Sequence, residues 1–302
     1  MIIYKNSRIS KKLKNNVIAI GNFDGLHLGH QKVLKQARQK AKKNKLKFGV
    51  VTFEPVPVMF FNKSIRNHRI NSLNQKISFL KKSKLDFLKI IKFNKKFSNY
   101  TPLKFIKDII YKNLKARYIF VSKNFKFGKD RKGNIKTLKE YEKDFFYKTI
   151  ISKPLKKNNK ILSSTIIRKN ISKGNIYKAN KYLGRNWSIV GKVIKGKKRG
   201  TKIGFPTCNI KLNDYILPKP GVYSVKVEVK NLKRNGIANV GYRPTFNGKI
   251  LLLEVNIFGI KANLYDKEIK VSFINFIRAE KKFKNINQLK DQIKKDIKRV
   301  KT

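Results

Sequence analysis

The chain has 302 residues, 40% hydrophobic and 11% aromatic, which suits two domains with real cores and argues against intrinsic disorder. Its 75 Lys and Arg against 16 Asp and Glu give a formal charge of +59, a field that attracts phosphates. The single cysteine, Cys208, excludes an intrachain disulfide and a thiolate zinc site and suits a reducing cytoplasm.

In chain order, residues 1–16 hold no apolar stretch of signal-peptide length. VIAIG (17–21) reads as a buried strand, and NFDGLHLGH leads from it into a helix over about 29–45, where Val33, Leu34, Ala37 and Ala41 recur at helical spacing. KFGVVTF (47–53) reads as a second strand. A helix near 74–83, a strand DFLKIIKF (86–93), a helix opening at Thr101-Pro102 and a strand RYIFVS (117–122) follow. Strands alternating with helices predict an α/β domain with a doubly wound parallel sheet.

The pattern changes near Gly184, which stops an apolar helical run through Ile176, Tyr177, Ala179 and Leu183. WSIVGKVI, KIGFPTCNI, GVYSVKVEV, GIANVGY, LLLEVNIF and IKVSFINFI then succeed one another with turn residues and no helix between them. Six such strands predict a closed antiparallel β-barrel. A C-terminal helix over about 286–300 sets Ile286, Leu289, Ile293, Ile297 and Val300 on one stripe. The most apolar run, 250–260, is too short to span a bilayer and contains Glu254, so no membrane partner is expected.

The lysines are spread over nearly every segment together with Asn, Ile, Phe and Tyr, as drift toward AT-rich codons would leave them. A dedicated nucleic-acid face would concentrate them on one side, so no specific nucleic-acid partner is expected.

Two of three histidines, His27 and His30, fall in GNFDGLHLGH (21–30) between a buried strand and a helix. Such switch-point turns bind ligands in parallel sheets. Gly21, Gly25 and Gly29 permit close backbone approach, the helix start offers N–H groups to phosphate, and the histidines can face one side and donate to phosphoryl oxygens. Half of a metal site and a pair of core histidines stand as alternatives. Downstream, ILSSTIIR (161–168) sets Ser163, Ser164 and Thr165 before a short helix with Arg168 one turn on. By itself this reads as a helix cap; beside the histidine motif it reads as a second phosphate clamp, with Arg168 as a fork.

Together the two motifs resemble the HxGH nucleotidylyltransferases. GNFDGLHLGH, TFEPVPVMFF (52–61), NFKFGKDRKGNIKTL (124–138) and SSTIIRKNISKGNIYKANKYLGR (163–185) are similar to the amino-terminal half of bacterial bifunctional riboflavin kinase/FAD synthetase.

In the second half, alternation in VYSVKVEVK puts Glu228 on a solvated face with Ser224, Lys226 and Lys230. Glu254 differs: its face-mates are Leu252, Asn256 and Phe258, and Leu251, Leu253, Val255 and Ile257 line the other face. A buried or cleft-lining Glu and a strand-edge Glu paired with Lys both fit. GKKRGTKIGFPTCN (196–209) supplies a glycine-flanked loop, then Thr207 and Asn209, whose oxygens suit a hard cation or a phosphate; a Pro206 turn with a capping Thr is the alternative. Here the resemblance resumes. GKVIKGKKRGTKIGFPTCNI, GIANVGYRPTF, LLLEVNIFG and FIRAEKKF look like the riboflavin kinase module of the same family.

The resemblance implies an FMN adenylyltransferase domain over 1–185 and a riboflavin kinase barrel over 186–302. The substrates and products it implies are riboflavin, FMN, FAD and ATP, with Mg²⁺ as cofactor. Glu254 would be the base for phosphorylation, Thr207 the metal ligand and Asn209 a phosphate ligand, with Arg278 near the flavin. His27 and His30 would stabilise adenylyl transfer, and Ser164, Thr165 and Arg168 would hold pyrophosphate. Asn22, Asp24 and Asn124 would bind nucleotide or metal, and Gly29 nucleotide. Four departures stand out. Cys208 replaces a usual Ala, Thr201 follows Gly200 where the family has Arg (with Arg199 or Lys202 as substitutes for that charge), and Tyr242 replaces a usual Thr. Asp266 replaces a turn Gly, which strains the chain if φ there is positive.

Overall fold

The computed structural model describes every residue except 6, 63, 66, 158–159, 197–198, 213–214, 231, 246–247, 261–262 and 302. The chain divides into two compact units, Met1–Ile65 with Lys76–Ser163, and Arg66–Gln75 with Ser164–Thr302.

The first unit is built on strands β1 (Ile2–Tyr4), β2 (Asn16–Ile20), β3 (Phe48–Glu54), β4 (Phe87–Lys92), β5 (Ala116–Ser122) and β6 (Lys148–Ser152). They form one parallel sheet in the order β1-β4-β3-β2-β5-β6. Because helices cover both faces, the central strands read as unbroken apolar runs, and every residue of β2 is buried. One face packs on α1 (Leu28–Lys43) through Leu34, Ala37 and Ala41. The short helices α2 (Pro57–Phe61), α3 (Leu73–Lys82) and α4 (Lys95–Ser98) follow in the chain, the first three residues of α3 belonging to the second unit. Helix α5 (Pro102–Phe105) starts as its sequence requires, with Pro102 in the first turn and Thr101 Oγ1 accepting from the Lys104 N–H at 3.1 Å. It continues as a wider π-helical stretch, Ile106–Leu114, that buries Ile106, Ile110 and Leu114 against the other face. Helix α6 (Ile135–Glu140) and a small ladder of β7 (Lys156–Lys157) and β8 (Lys160–Ile161) complete the unit.

The second unit opens with α7 (Ser164–Ser172) and α8 (Ile176–Leu183), and α8 ends at Gly184 with φ +69°, the stop its sequence predicts. Six strands then close a barrel: β9 (Ser188–Ile194), β10 (Cys208–Lys211), β11 (Gly221–Val229), β12 (Leu232–Thr245), β13 (Gly248–Ile257) and β14 (Glu268–Arg278). Every neighbour is antiparallel in the order β10-β13-β12-β11-β14-β9. The one-turn helix α9 (Arg199–Lys202) lies between β9 and β10, where the sequence pattern predicted no helix, and α10 (Ile286–Lys301) ends the chain. The fold class expected from the sequence is the one observed.

Segment 66–75 joins this unit through side chains. Trp187 Nε1 donates to the Ile70 carbonyl at 2.8 Å, and Arg185 Nη2 donates to Asn71 Oδ1 at 3.0 Å. Gln75 Nε2 donates to the Ser188 carbonyl at 3.0 Å and accepts at Oε1 from the Tyr215 hydroxyl at 2.7 Å. Asp266 has φ +63°, the left-handed conformation that a glycine would adopt without strain, and its carboxylate meets Lys192 Nζ at 3.0 Å.

Candidate active sites

In the first unit, β2 leaves the sheet between β3 and β5, and Gly21–His27 form the switch-point turn. Phe23 (φ +48°) and Leu26 (φ +36°) are buried and pin the turn from below; Gly25 is at φ +78°. This left-handed winding sets Asp24 and His27 inward, both 4% exposed. His27 is the N-cap of α1: its Nδ1 accepts from the His30 N–H at 3.3 Å, which leaves the ring proton on Nε2, a donor for a phosphoryl oxygen. The two imidazoles stack, with centroids 3.7 Å apart and 21° between planes, and Phe23 packs edge-on against His30. Gly29 makes the stack possible, since a Cβ there would lie 3.0 Å from His27 Nδ1 and Cε1.

The histidines therefore share one face, as their spacing predicts. The cap also gives His27 a structural duty, so part of the core-histidine alternative holds. For the metal alternative, no group of three or more His, Cys, Asp or Glu suited to a metal occurs among the described residues.

The Asn22 side chain is exposed, and its carbonyl accepts from Thr52 Oγ1 at 3.1 Å and from Lys76 Nζ at 3.3 Å. Lys76 is 3% exposed, a buried cation under the turn that sequence reasoning missed. Its position four residues before Leu80, on the apolar side of α3, was the available signal. Asn124 is exposed just beyond β5, at the same sheet end as the histidine turn.

Ser164, Thr165 and Arg168 lie on α7, in the second unit. Ser164 opens the helix half-buried and Thr165 is exposed. Arg168 Nε donates to the His68 carbonyl at 2.9 Å, which fixes the side chain one turn along the helix.

In the barrel, Glu254 sits at the middle of β13 in register with Asn209 on β10 and Asn239 on β12. Alternation does the placing: Leu251, Leu253, Val255 and Ile257 are buried in the core, while Leu252, Glu254 and Asn256 line a cavity of about 730 Å³. Glu228, by contrast, is half-exposed and paired with Lys270 Nζ at 2.9 Å, as its alternation predicts.

The P-T-C-N turn is anchored by Asn256 Nδ2, which donates to the Pro206 carbonyl at 2.7 Å, and it brings Thr207 and Asn209 into the same cavity. Gly196 and Gly200 let the preceding loop lie against them: a Cβ at 196 would sit 2.1 Å from Asn209 Nδ2, and one at 200 would sit 3.2 Å from Thr207 Oγ1. Residues 197–198 of this loop, and the side chains of Arg199 and Lys202, lie outside the described residues. Cys208 alternates with Asn209, so it points to the face of Ile210, and burial pushes its thiol pKa up.

Arg278, at the end of β14, lines the cavity, and its fork is held by the Asp296 carboxylate of α10: Nε lies 2.9 Å and Nη2 2.7 Å from Oδ2. Asp296 is 1% exposed and was not foreseen.

A switch-point histidine turn on a parallel sheet, followed by a barrel with a carboxylate and amides around one cleft, defines a two-part nucleotide-dependent transferase. A family profile described as FAD synthetase matches residues 9–166, and one described as riboflavin kinase matches residues 183–302. The bifunctional riboflavin kinase/FMN adenylyltransferase of Buchnera aphidicola subsp. Schizaphis graminum is 42% identical over 97% of this chain and 95% of its own length. The corresponding proteins of Haemophilus influenzae (38% identical, 97% and 95% covered) and Escherichia coli K12 (32%, 93% and 90%) match over nearly their whole length. A crystal structure from Streptococcus pneumoniae, described as a macrolide-efflux protein, superposes with a TM-score of 0.89 at 30% identity, covering 100% of this chain and 99% of that one. Among the described residues no helix is long and apolar enough to cross a membrane. The chain belongs to the bifunctional riboflavin kinase/FMN adenylyltransferase family.

Proposed function

We propose that residues 186–302 phosphorylate riboflavin to FMN with ATP and that residues 1–185 adenylylate FMN to FAD, at the residues described above. The observation that carries the kinase half is the cross-strand row Asn209–Glu254–Asn239 in the cavity wall, beside Thr207. Glu254 accepts the proton of the riboflavin 5′-hydroxyl as its oxygen attacks the γ-phosphorus of ATP, and ADP leaves. Thr207 Oγ1 and the Asn209 amide oxygen are hard donors that fit Mg²⁺, an ion held largely by substrate phosphates where a protein offers few carboxylates. When bound there, the ion supplies charge neutralisation at the transferring phosphoryl group.

In the other half, an FMN phosphate oxygen attacks the α-phosphorus of a second ATP and pyrophosphate leaves. His27 donates from Nε2 and His30 packs against it, so the stack and the start of α1 stabilise charge that grows on the phosphoryl oxygens. Gly29 gives the stack its room, Asp24 is buried in the turn, and Asn22 and Asn124 stand exposed at the same sheet end to meet nucleotide. Ser164, Thr165 and Arg168 take the pyrophosphate role that the SSTxxR motif carries in the family. Both reactions consume ATP, which supports a cytoplasmic location for the protein.

The test is one incubation of the pure chain with riboflavin, ATP and Mg²⁺ and separation of FMN from FAD. Glu254→Gln is expected to make no FMN from riboflavin yet to convert supplied FMN to FAD at the wild-type rate. Loss of both conversions in a folded variant would refute the two-site reading.

A further inference from the structure

Asp296 is out of place by composition. Helix α10 is rich in Lys and turns Leu289, Ile293, Ile297 and Val300 inward, while Ile286 of the expected stripe is exposed at the helix start, yet the most buried side chain of α10 is this carboxylate. Four donor contacts saturate it. Arg278 Nε lies 3.1 Å from Oδ1 and 2.9 Å from Oδ2, Arg278 Nη2 lies 2.7 Å from Oδ2, and Gln292 Nε2, one turn earlier, lies 2.9 Å from Oδ1. Arg278 Nη1 is spent on the Ala279 carbonyl at 3.0 Å.

A buried pair of this kind gives little net stability over an apolar replacement of similar size, because the desolvation of both ions offsets their attraction. Leu289 and Ile293 already supply α10 with an apolar seat, and both also line the cavity. The pair therefore calls for a role in orientation. Both of its members line the same cavity as Glu254. The cavity is also asymmetric. The oxygen donors Thr207 and Asn209 come from the β10 flank, while Val222, Ile237 and Ala238 on β11 and β12, with Leu289 and Ile293, give an apolar wall. A triphosphate belongs with the donors and a flat tricyclic ring with the apolar wall, which is where the Arg278–Asp296 pair stands.

We infer that Asp296 is a positioning residue for the acceptor side of the kinase cavity: it fixes the Arg278 guanidinium in the wall, so that riboflavin binding, and not ATP binding, depends on this contact with α10. The inference rests on the kinase reading of the barrel. Asp296→Asn keeps the size of the side chain and removes its charge. It is expected to raise the riboflavin KM about ten- to a hundred-fold while the ATP KM stays within about three-fold of wild type. FMN-to-FAD conversion in the same protein should be unchanged. The double substitution Arg278→Met with Asp296→Leu replaces both charges by apolar groups of similar size and is expected to melt no lower than wild type and to show the same riboflavin defect. A wild-type riboflavin KM in Asp296→Asn, an equal rise in both KM values, or loss of folding in the double variant would each overturn the inference. Failure of the kinase reading looks different: the wild-type chain would then form no FMN at all.

Discussion

The two candidate sites are assembled in opposite ways. The histidine site comes from one continuous segment, Gly21 to His30, whose geometry is set by three left-handed residues and a helix cap. The barrel site takes Asn209, Asn239, Glu254 and Arg278 from four different strands and closes against a helix at the far end of the chain. A local site depends on its turn, whereas a distributed one depends on strand register and on partners distant in sequence. Substitutions should therefore act on one conversion and spare the other.

The largest expected effect that separates the sites, beyond the loss of FMN formation in Glu254→Gln, is at His30. His30→Ala removes one wall of the imidazole stack, and FAD formation from FMN should fall about 100- to 1,000-fold. FMN formation from riboflavin should not change, and an undiminished FAD yield would remove His30 from the mechanism.

The glycines give a smaller and more diagnostic contrast. Gly196→Ala pushes a methyl group into the Asn209 amide and should slow riboflavin phosphorylation about ten- to a hundred-fold. Gly29→Ala crowds the His27 ring and should slow adenylyl transfer by about ten-fold, because the contact there is looser. Steady-state rates of the two conversions check both, and crossed effects would break the comparison.

Alkaline pH sharpens it at the level of stability. Burial raises the pKa of Tyr215 and Tyr223 in the second unit and of Tyr147 in the first, where Glu142 and Asp144 add to the effect. These hydroxyls stay protonated in the native state when the unfolded chain has begun to ionise. The unfolded chain then binds fewer protons, and stability falls as pH rises above about 10. Lys89, buried with Nζ 2.5 Å from the Ser7 carbonyl, has its pKa lowered by burial. Between that lowered value and 10.5 the unfolded chain binds more protons, so Lys89 makes the first unit more stable as pH rises. The second unit carries the same kind of offset in Arg185, whose pKa burial lowers to about 10, so it should lose stability alongside the first. Its buried Trp187, the sole tryptophan, reports it by fluorescence, and residual FMN-to-FAD activity reports on the first unit's site.

The smallest effect is at Asp266. Asp266→Gly relieves a left-handed residue and gives up an exposed ion pair to Lys192, so the melting temperature should shift by the equivalent of no more than about 1 kcal/mol.

Periodicity made much of this legible. All six barrel strands, the switch-point turn and the difference between Glu228 and Glu254 follow from which face of a strand or helix each residue must occupy. Short edge strands did not announce themselves: β1 has three residues, and β6 is largely half-exposed, so neither has a long apolar run. Segment 66–75 joins the second unit through hydrogen bonds to Arg185, Trp187 and Ser188, contacts with no sequence period. Lys76 and Asp296 were hidden by composition. In so lysine-rich a chain one more Lys draws notice only through its place on the apolar side of α3, and an Asp on a charged helix reads as solvent-facing until its partner 18 residues away is placed against it.

Closure of the barrel has one further consequence. Each strand of a closed ring is held from two sides, so none can slide without its neighbours sliding too. A displacement of β13 by a single position would turn Glu254 toward the hydrophobic interior and bring Leu253 or Val255 to the cleft. The ring thus acts as a combination lock for proton transfer, and the many lysines scattered over its outside can accumulate without turning the dial.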